Sequence, residues 1–203
     1  MNKINERIKA EIEKISLVDT HEHIMPEAER NKYAVDFGYL LGAYNPMDLV
    51  SAGMPPRLME AVCLPMHRYE LALLKRKKIR RSLPEPERED MSLQERWQAV
   101  EPFWEAMRNT AYAKQTLITT RDIFGIDDLN RDTYLKLSQA IANSRRPGWY
   151  RHVLREKANI TTSIIDVQLT DVDRELFTPV MHLNHFVGVQ SRQDLVSLEE
   201  ESG

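Results

Sequence analysis

The pattern of apolar and polar positions changes its period near the N-terminus. Ile4, Ile8, Ile12 and Ile15 recur at spacings of four and three among Lys, Glu and Arg, which predicts an amphipathic N-terminal helix. The stretch 15–19 is then a short apolar run that ends on a carboxylate, and it predicts a buried first strand. The helix therefore leads directly into a sheet.

Helical signals dominate the middle of the chain. Residues 38–56 are rich in Gly and Pro and predict a long connection, and residues 66–81 predict a helix that ends before Pro84. Ser92 and Glu95 have the spacing of a capping box, with Trp97, Trp104 and Met107 following at helical intervals. Pro102 predicts a kink or a restart in that helix.

The later part of the chain returns to strand-like composition. Residues 160–167 are rich in β-branched side chains and predict a second strand that ends near Asp166, and residues 186–189 predict a third. A stripe formed by Tyr134, Leu137 and Ile141 predicts one more helix before these strands. Strands separated by helical crossovers predict a parallel sheet and an α/β fold.

Composition and charge narrow the classes of function. The chain of 203 residues has a formal net charge of −3 and a pI near 6.1, so nucleic acid and anionic membranes are not expected partners. The basic run 75–81 is followed by an acidic stretch that offsets it. A single cysteine excludes an intrachain disulfide, and a cytoplasmic location without a secretory leader or membrane span is predicted.

The segment with the clearest chemistry is Val18-Asp19-Thr20-His21-Glu22-His23, directly after the first predicted strand. On an extended chain residues i and i+2 point to the same side about 7 Å apart, so His21 and His23 can reach one ion while Glu22 faces away. Imidazole nitrogens are typical ligands of zinc and related divalent ions. Asp19 is predicted to cap the turn or to orient a ligand histidine.

These residues resemble the amidohydrolase superfamily, in its branch of type-2 amidohydrolases and uronate-isomerase-like enzymes. The resemblance rests on residues 18–24, on the long helical stretch after the first strand, and on Lys157-Ala158-Asn159-Ile160 at the start of the second. It implies the N-terminal portion of a (β/α)8 TIM barrel with a helical insert over 26–159. It also implies that His21 and His23 bind a divalent metal, with zinc expected.

The resemblance covers only the first two or three of the eight strands, because the later ligands of the family have no counterpart here. It therefore implies a metal-dependent hydrolase, lyase or isomerase that is truncated and inactive alone, with a homo-oligomer or a missing C-terminal barrel segment as partner. The expected substrate is small and polar, including carboxylated molecules. Catalytic residues are not identified from the sequence.

Other side chains have two interpretations each. Arg108 and Tyr112 are predicted to bind the substrate, since Arg pairs bidentately with carboxylates, but they also fit a helix surface beside an aromatic core. His182 and His185 fit loop or core histidines better than ligands. The alternative function is a non-catalytic helical binding or scaffold module, in which His21 and His23 are incidental.

Overall fold

The computed structural model describes residues 3–63, 91–165, 172–180 and 189–202. The chain divides into two compact units. We call Met25–Ala158 the helical unit, and Met1–Ile24 together with Asn159–Gly203 the strand unit. Each unit is described by itself.

The strand unit contains a three-stranded parallel sheet with the strand order β1-β2-β3. The start of β1 is joined to the start of β2 by Asn159, whose carbonyl accepts the Leu17 N–H at 2.9 Å and whose side-chain amide donates to the Ile15 carbonyl at 2.9 Å. Asn159 has a φ of 51°, a conformation that Asn adopts more easily than most residues. The elements are α1 (Lys3–Ile12), β1 (Leu17–Glu22), β2 (Ile160–Ile165), β3 (Phe177–Pro179) and a C-terminal helix, Arg192–Ser202.

Strand β1 is irregular where the chemistry of the sequence is concentrated. Asp19 lies opposite Ser163 and Glu22 lies opposite Ile165, so three residue steps of β1 face two steps of β2. Such a bulge bends a strand locally and changes the direction of its side chains. His21 lies inside this bulge, and His23 follows the last residue of the strand.

The helical unit packs around two tryptophans. Trp97 and Trp104 are fully buried, Trp97 stacks on Tyr134 with ring centroids 5.2 Å apart, and Phe37 meets Trp97 edge to face at 5.5 Å. The Trp104 indole N–H donates to the Leu129 carbonyl at 2.9 Å. The helices are α2 (Glu27–Arg30), α3 (Phe37–Tyr44), α4 (Pro46–Ser51), α5 (Pro56–Val62), α6 (Leu93–Met107), α7 (Ala111–Asp122), α8 (Tyr134–Asn143) and α9 (Trp149–Arg151), which continues as a π-helix, His152–Lys157.

The two ends of the helical unit are held together by hydrogen bonds. The Glu27 carboxylate accepts the backbone N–H groups of Gly148 at 2.7 Å and Tyr150 at 2.6 Å, and the Tyr150 hydroxyl donates to the Met25 carbonyl at 3.0 Å. The buried Arg30 guanidinium donates to the Ser144 carbonyl at 3.1 Å and hydroxyl at 2.7 Å. The beginning and the end of this unit therefore lie side by side.

Several predicted elements are confirmed. The N-terminal helix, the first two strands, the parallel pairing and the helix at Tyr134 are present, and Ser92 and Glu95 form both hydrogen bonds of a capping box. Pro102 lies inside α6, which continues through that residue to Met107, so the helix does not restart there, and the predicted kink stays a prediction. In the part of the chain that the structure describes, the third strand is Phe177–Pro179.

The predicted portion of a TIM barrel is wrong. The described residues are mostly helical and hold one small parallel sheet of three strands, and Leu17 and Val18 of β1 are 50% and 55% exposed. A barrel strand is buried on both faces by the barrel core and by the outer helices. Here the main hydrophobic core lies within the helical unit instead.

Some predictions fall outside the described residues. These are the helix at 66–81 with its basic run, the end of the second strand at Asp166, His182 and His185, and residues 186–188 of the third predicted strand. Among the helices that the structure describes, none has both the length and the apolar composition needed to span a membrane.

Candidate functional site

The imidazole rings of His21 and His23 lie next to each other at the C-terminal end of β1. Their centroids are 4.7 Å apart and their planes meet at 86°. Both side chains are exposed, so a small ion or molecule can reach them from solvent. The structure therefore brings together the two residues that the sequence predicts as metal ligands.

The backbone of the bulge positions the two rings. The Asp19 carboxylate accepts the backbone N–H of His21 at 3.3 Å, a local bond that takes the place of regular pairing at this residue. The Asp19 side chain thus bonds the backbone within the irregular part of β1, in keeping with its predicted capping role, and its predicted orientation of a ligand histidine stays a prediction. The irregular backbone allows both rings to approach on one side.

Glu22 is the residue whose environment differs most from expectation. Burial raises the pKa of its carboxyl, and the charge of Asp19 and a side-chain hydrogen bond with Asp19 raise it further. The backbone N–H of His23 and the charge of His21 act in the opposite direction, but the pKa remains raised. Alternation along a regular strand predicts Glu22 on the opposite face, whereas the bulge leaves it beside Asp19.

The ligand set for a metal is incomplete within the described residues. In that part of the chain no group of three or more His, Cys, Asp or Glu side chains is arranged to hold an ion. The two imidazoles fit the nitrogen ligands that zinc accepts, and they supply half of a tetrahedral set.

Arg108, a predicted substrate-binding residue, belongs to the helical unit and is already engaged there. Its guanidinium donates to the Asp128 carboxylate at 2.6 Å, to the Leu129 carbonyl at 3.1 Å and to Glu105 at 3.3 Å. It also lies 5.8 Å from the centre of the Trp104 ring. These contacts favour a structural role, and the proposed contact with a substrate stays a prediction.

Tyr112, the second predicted substrate-binding residue, lies on the surface of the helical unit. Its ring stacks on Tyr44 with centroids 5.3 Å apart and planes inclined by 15°, and 42% of the residue is exposed. The stacked pair offers an aromatic edge to solvent. Its role in binding a substrate also stays a prediction.

The helical unit contains a histidine–carboxylate pair that was not predicted from the sequence. His152 Nδ1 lies 2.6 Å from Glu156 Oε2 in the π-helix, and the His152 ring lies 5.4 Å from that of Trp149. The spacing of four residues was a visible signal, but an ordinary helix gives the same spacing. What the sequence does not reveal is the π-helical backbone, which is rare and often accompanies functional sites.

Comparison with known proteins gives no match, either to a protein-family model or to a curated sequence. The resemblance to the amidohydrolases therefore rests on the sequence features named above.

Proposed function

We propose that the strand unit binds a divalent metal ion, with zinc preferred, through His21 and His23, and that the chain serves metal-dependent hydrolysis of the amidohydrolase type. The observation that carries this proposal is the pair of imidazole rings 4.7 Å apart at the end of β1. Neutral imidazole is the common ligand of zinc, and both rings are accessible. The proposed substrate is a small polar molecule, including one with a carboxylate.

The residues around the two histidines suit this chemistry. A divalent ion supplies Lewis acidity at a carbonyl group or a water molecule. Glu22 lies between the two histidines in the chain and interacts electrostatically with His21, so its carboxyl group can accept a proton during hydrolysis. Among the described residues two histidines are fewer ligands than a catalytic zinc site uses, so we expect weak metal binding by the chain alone.

Metal titration tests the proposal most directly. We expect one equivalent of Zn²⁺ or Co²⁺ to bind the metal-free chain in calorimetry, and Co²⁺ to give a visible absorption band. Changing either histidine, in His21→Ala or His23→Ala, should weaken binding by about tenfold or more because half of the protein ligands are lost.

His152→Ala is the matched control. It removes a histidine of the helical unit and should leave the metal affinity unchanged. Equal affinity in the wild type, His21→Ala and His23→Ala would contradict the proposal. If the site binds metal, hydrolysis of activated esters by the chain should depend on the metal and should fall in the same two variants.

A second candidate function has its own support. The helical unit holds a continuous core that includes Phe37, Trp97, Trp104 and Leu137, all fully buried. A unit with such a core can act as a binding or scaffold module without any metal. A chain that binds no metal while its helical unit unfolds cooperatively would favour this function over the first.

A further inference from the structure

The N-terminal helix carries an apolar stripe that faces solvent. Ile4, Ile8, Ile12 and the following Ile15 are each between 54% and 59% exposed, and α1 contains no buried residue. With 100° between successive residues, the three isoleucines on the helix, Ile4, Ile8 and Ile12, occupy a sector about 80° wide, and Ile15 follows just beyond the end of α1. Four exposed isoleucines in one row form a contiguous apolar patch, unlike the single apolar residues scattered over most protein surfaces. Such patches mark interaction sites.

The stripe belongs to the unit with the smaller core. Among its described residues the strand unit buries only Ile165, Leu176 and Phe177 as hydrophobic side chains, whereas the helical unit has a large core of its own. No other element makes an extensive contact with α1 in the described part of the chain. Covering the stripe would add the apolar burial that this unit lacks.

The charges beside the stripe are self-complementary. Arg7 and Glu11 lie one turn apart along the same edge of the stripe, and both are exposed. When two identical helices pack antiparallel, like edges meet. An antiparallel pair with its two-fold axis at the level of Lys9 places Arg7 of each copy across from Glu11 of the other.

The same alignment also fits the apolar side chains. Around an axis at residue 9, each isoleucine on α1 falls between two isoleucines of the opposite helix, offset by about two residues or 3 Å. The isoleucine side chains of one helix then pack into the spaces between side chains of the other helix, as in a coiled coil. The isoleucine spacing and the Arg7–Glu11 contacts are both compatible with this register, in which Glu11 would exchange its present pair with Lys14 at 2.7 Å for Arg7 of the other copy and the two Lys9 side chains lie at the same level.

We propose that α1 is a homodimerisation helix, and that the stripe of Ile4, Ile8, Ile12 and Ile15 packs antiparallel against the same stripe of a second copy of this chain. The Arg7 and Glu11 contacts occur twice, as the two-fold symmetry of an isologous interface requires. One short helix from each copy gives an interface at the small end of the range for specific association. The expected dissociation constant is therefore micromolar, about 10 μM.

Sedimentation velocity of the full chain, from about 1 to 200 μM, tests the dimer. We expect a monomer–dimer equilibrium in the wild type and an affinity at least about tenfold weaker in Ile8→Lys, which places a charge in the centre of the stripe. Leu195→Lys is the matched control, because Leu195 is 50% exposed on the C-terminal helix of the same unit. This control should dimerise like the wild type.

Charge reversal tests the partner and the register. Arg7→Glu and Glu11→Arg should each be monomeric, because each variant brings like charges together at both symmetric contacts. An equimolar mixture of the two variants should form a heterodimer, since opposite charges then meet at both contacts. Changes in the stability of a single helix cannot produce this recovery on mixing.

The proposal is overturned if the wild type stays monomeric throughout this range, or if it forms larger assemblies that Ile8→Lys does not change. A dimer that survives Ile8→Lys, or a mixture of the charge variants that stays monomeric, overturns it equally. Because none of these variants alters His21 or His23, metal binding should be the same in all of them. Failure of the metal site and failure of the dimer are therefore separate outcomes.

Discussion

At the scale of single residues, burial controls the chemistry of the one cysteine. Cys63 is 4% exposed at the end of α5, and burial raises the pKa of its thiol to about 12. The nearby Arg96 guanidinium lowers that pKa only in part. Since the thiolate is the reactive form, the folded protein holds this residue in its inert state at neutral pH.

We predict that iodoacetamide at pH 8 does not alkylate Cys63 in the folded chain within the time that fully labels a free thiol. The same reagent should label it completely in guanidinium chloride, where the pKa returns to about 8.5. Intact-mass spectrometry gives the extent of labelling. Rapid native labelling at the rate of a small thiol would show that the residue is not enclosed.

Arg108 and Asp128 form the ion pair that fixes the loop after α7. Burial raises the pKa of the Asp128 carboxyl, but hydrogen bonds from Arg108 and Asn130 outweigh it, so the pKa is lowered overall. A folded-state pKa below the unfolded one contributes stability that is present above the unfolded pKa and is lost as pH falls through the folded pKa. The pair should therefore stabilise the protein at neutral pH and not in strong acid.

We predict that Asp128→Asn lowers the free energy of unfolding by about 1 kcal/mol at pH 7, a value reduced for the partial exposure of both side chains. In acid, at a pH below the lowered pKa of the Asp128 carboxyl, the wild type and the variant should converge, because the wild-type carboxyl is then protonated. Urea unfolding at the two pH values measures this difference. If Asp128→Asn is equally destabilised at both pH values, the variant has lost packing and not the ion pair with Arg108.

At the scale of elements, α3 and the end of α5 approach so closely that only glycine fits between them. A Cβ atom added to Gly38 would lie 2.4 Å from the Val62 carbonyl oxygen and 3.1 Å from the Arg96 guanidinium. Arg96 also donates to that carbonyl at 3.3 Å and pairs with the Asp36 carboxylate, which caps α3. One glycine thus permits the contact among three segments of the helical unit.

We predict that Gly38→Ala destabilises the chain by about 1 to 3 kcal/mol although Ala favours helices, because backbone atoms must separate. Ala43→Gly, at an exposed position of the same helix, should cost about 1 kcal/mol through helix propensity alone. Thermal or urea unfolding compares the two. A stabilised Gly38→Ala variant would show that α3 and α5 are not in contact.

The elements that the sequence predicts well are those with local causes. Ser92 and Glu95 satisfy each other's backbone groups regardless of the rest of the fold, and the isoleucine spacing of α1 needs no tertiary context. The bulge between Asp19 and Glu22 and the π-helix at His152 depend on neighbouring segments, so the sequence does not reveal them. The same holds for Glu22, whose placement beside Asp19 follows from the bulge.

His21 and His23 show what can be predicted from local sequence, and the overall architecture shows what cannot. The i, i+2 spacing of His21 and His23 predicts that the rings are near each other, and their centroids are 4.7 Å apart. A barrel, by contrast, does not follow from two strands that are present and paired in parallel. The arrangement of a sheet depends on which later segments cover its faces, and Leu17 and Val18 remain about half exposed.

At the scale of the whole molecule, the two units differ in how much apolar surface they bury. The core residues Leu41, Val100 and Leu137 of the helical unit are inaccessible to solvent, while every residue of α1 is exposed. Segments with few buried contacts open more easily, because local unfolding exposes little additional apolar surface. We therefore expect a stable helical unit and a more labile strand unit within one chain.

Hydrogen exchange followed by mass spectrometry should resolve this difference. We predict slow exchange of the peptides covering α6 and α8 and much faster exchange of those covering α1 and β1 at low protein concentration. Protection of α1 should rise with concentration if the helix packs against a second copy, while that of α6 should not change. Equal protection throughout the chain would indicate a single cooperative unit.

The hydrogen bonds that hold Glu27 to Gly148 and Met25 to Tyr150 give the helical unit adjacent ends. A polypeptide whose ends are adjacent can be opened elsewhere and closed by a short linker with little loss of conformational entropy, so circular permutation is tolerated. We therefore expect a permuted helical unit, with its ends joined and a new start in an exposed loop, to fold with the same core. A unit with adjacent ends can also be inserted into a loop of another protein, in evolution or by design.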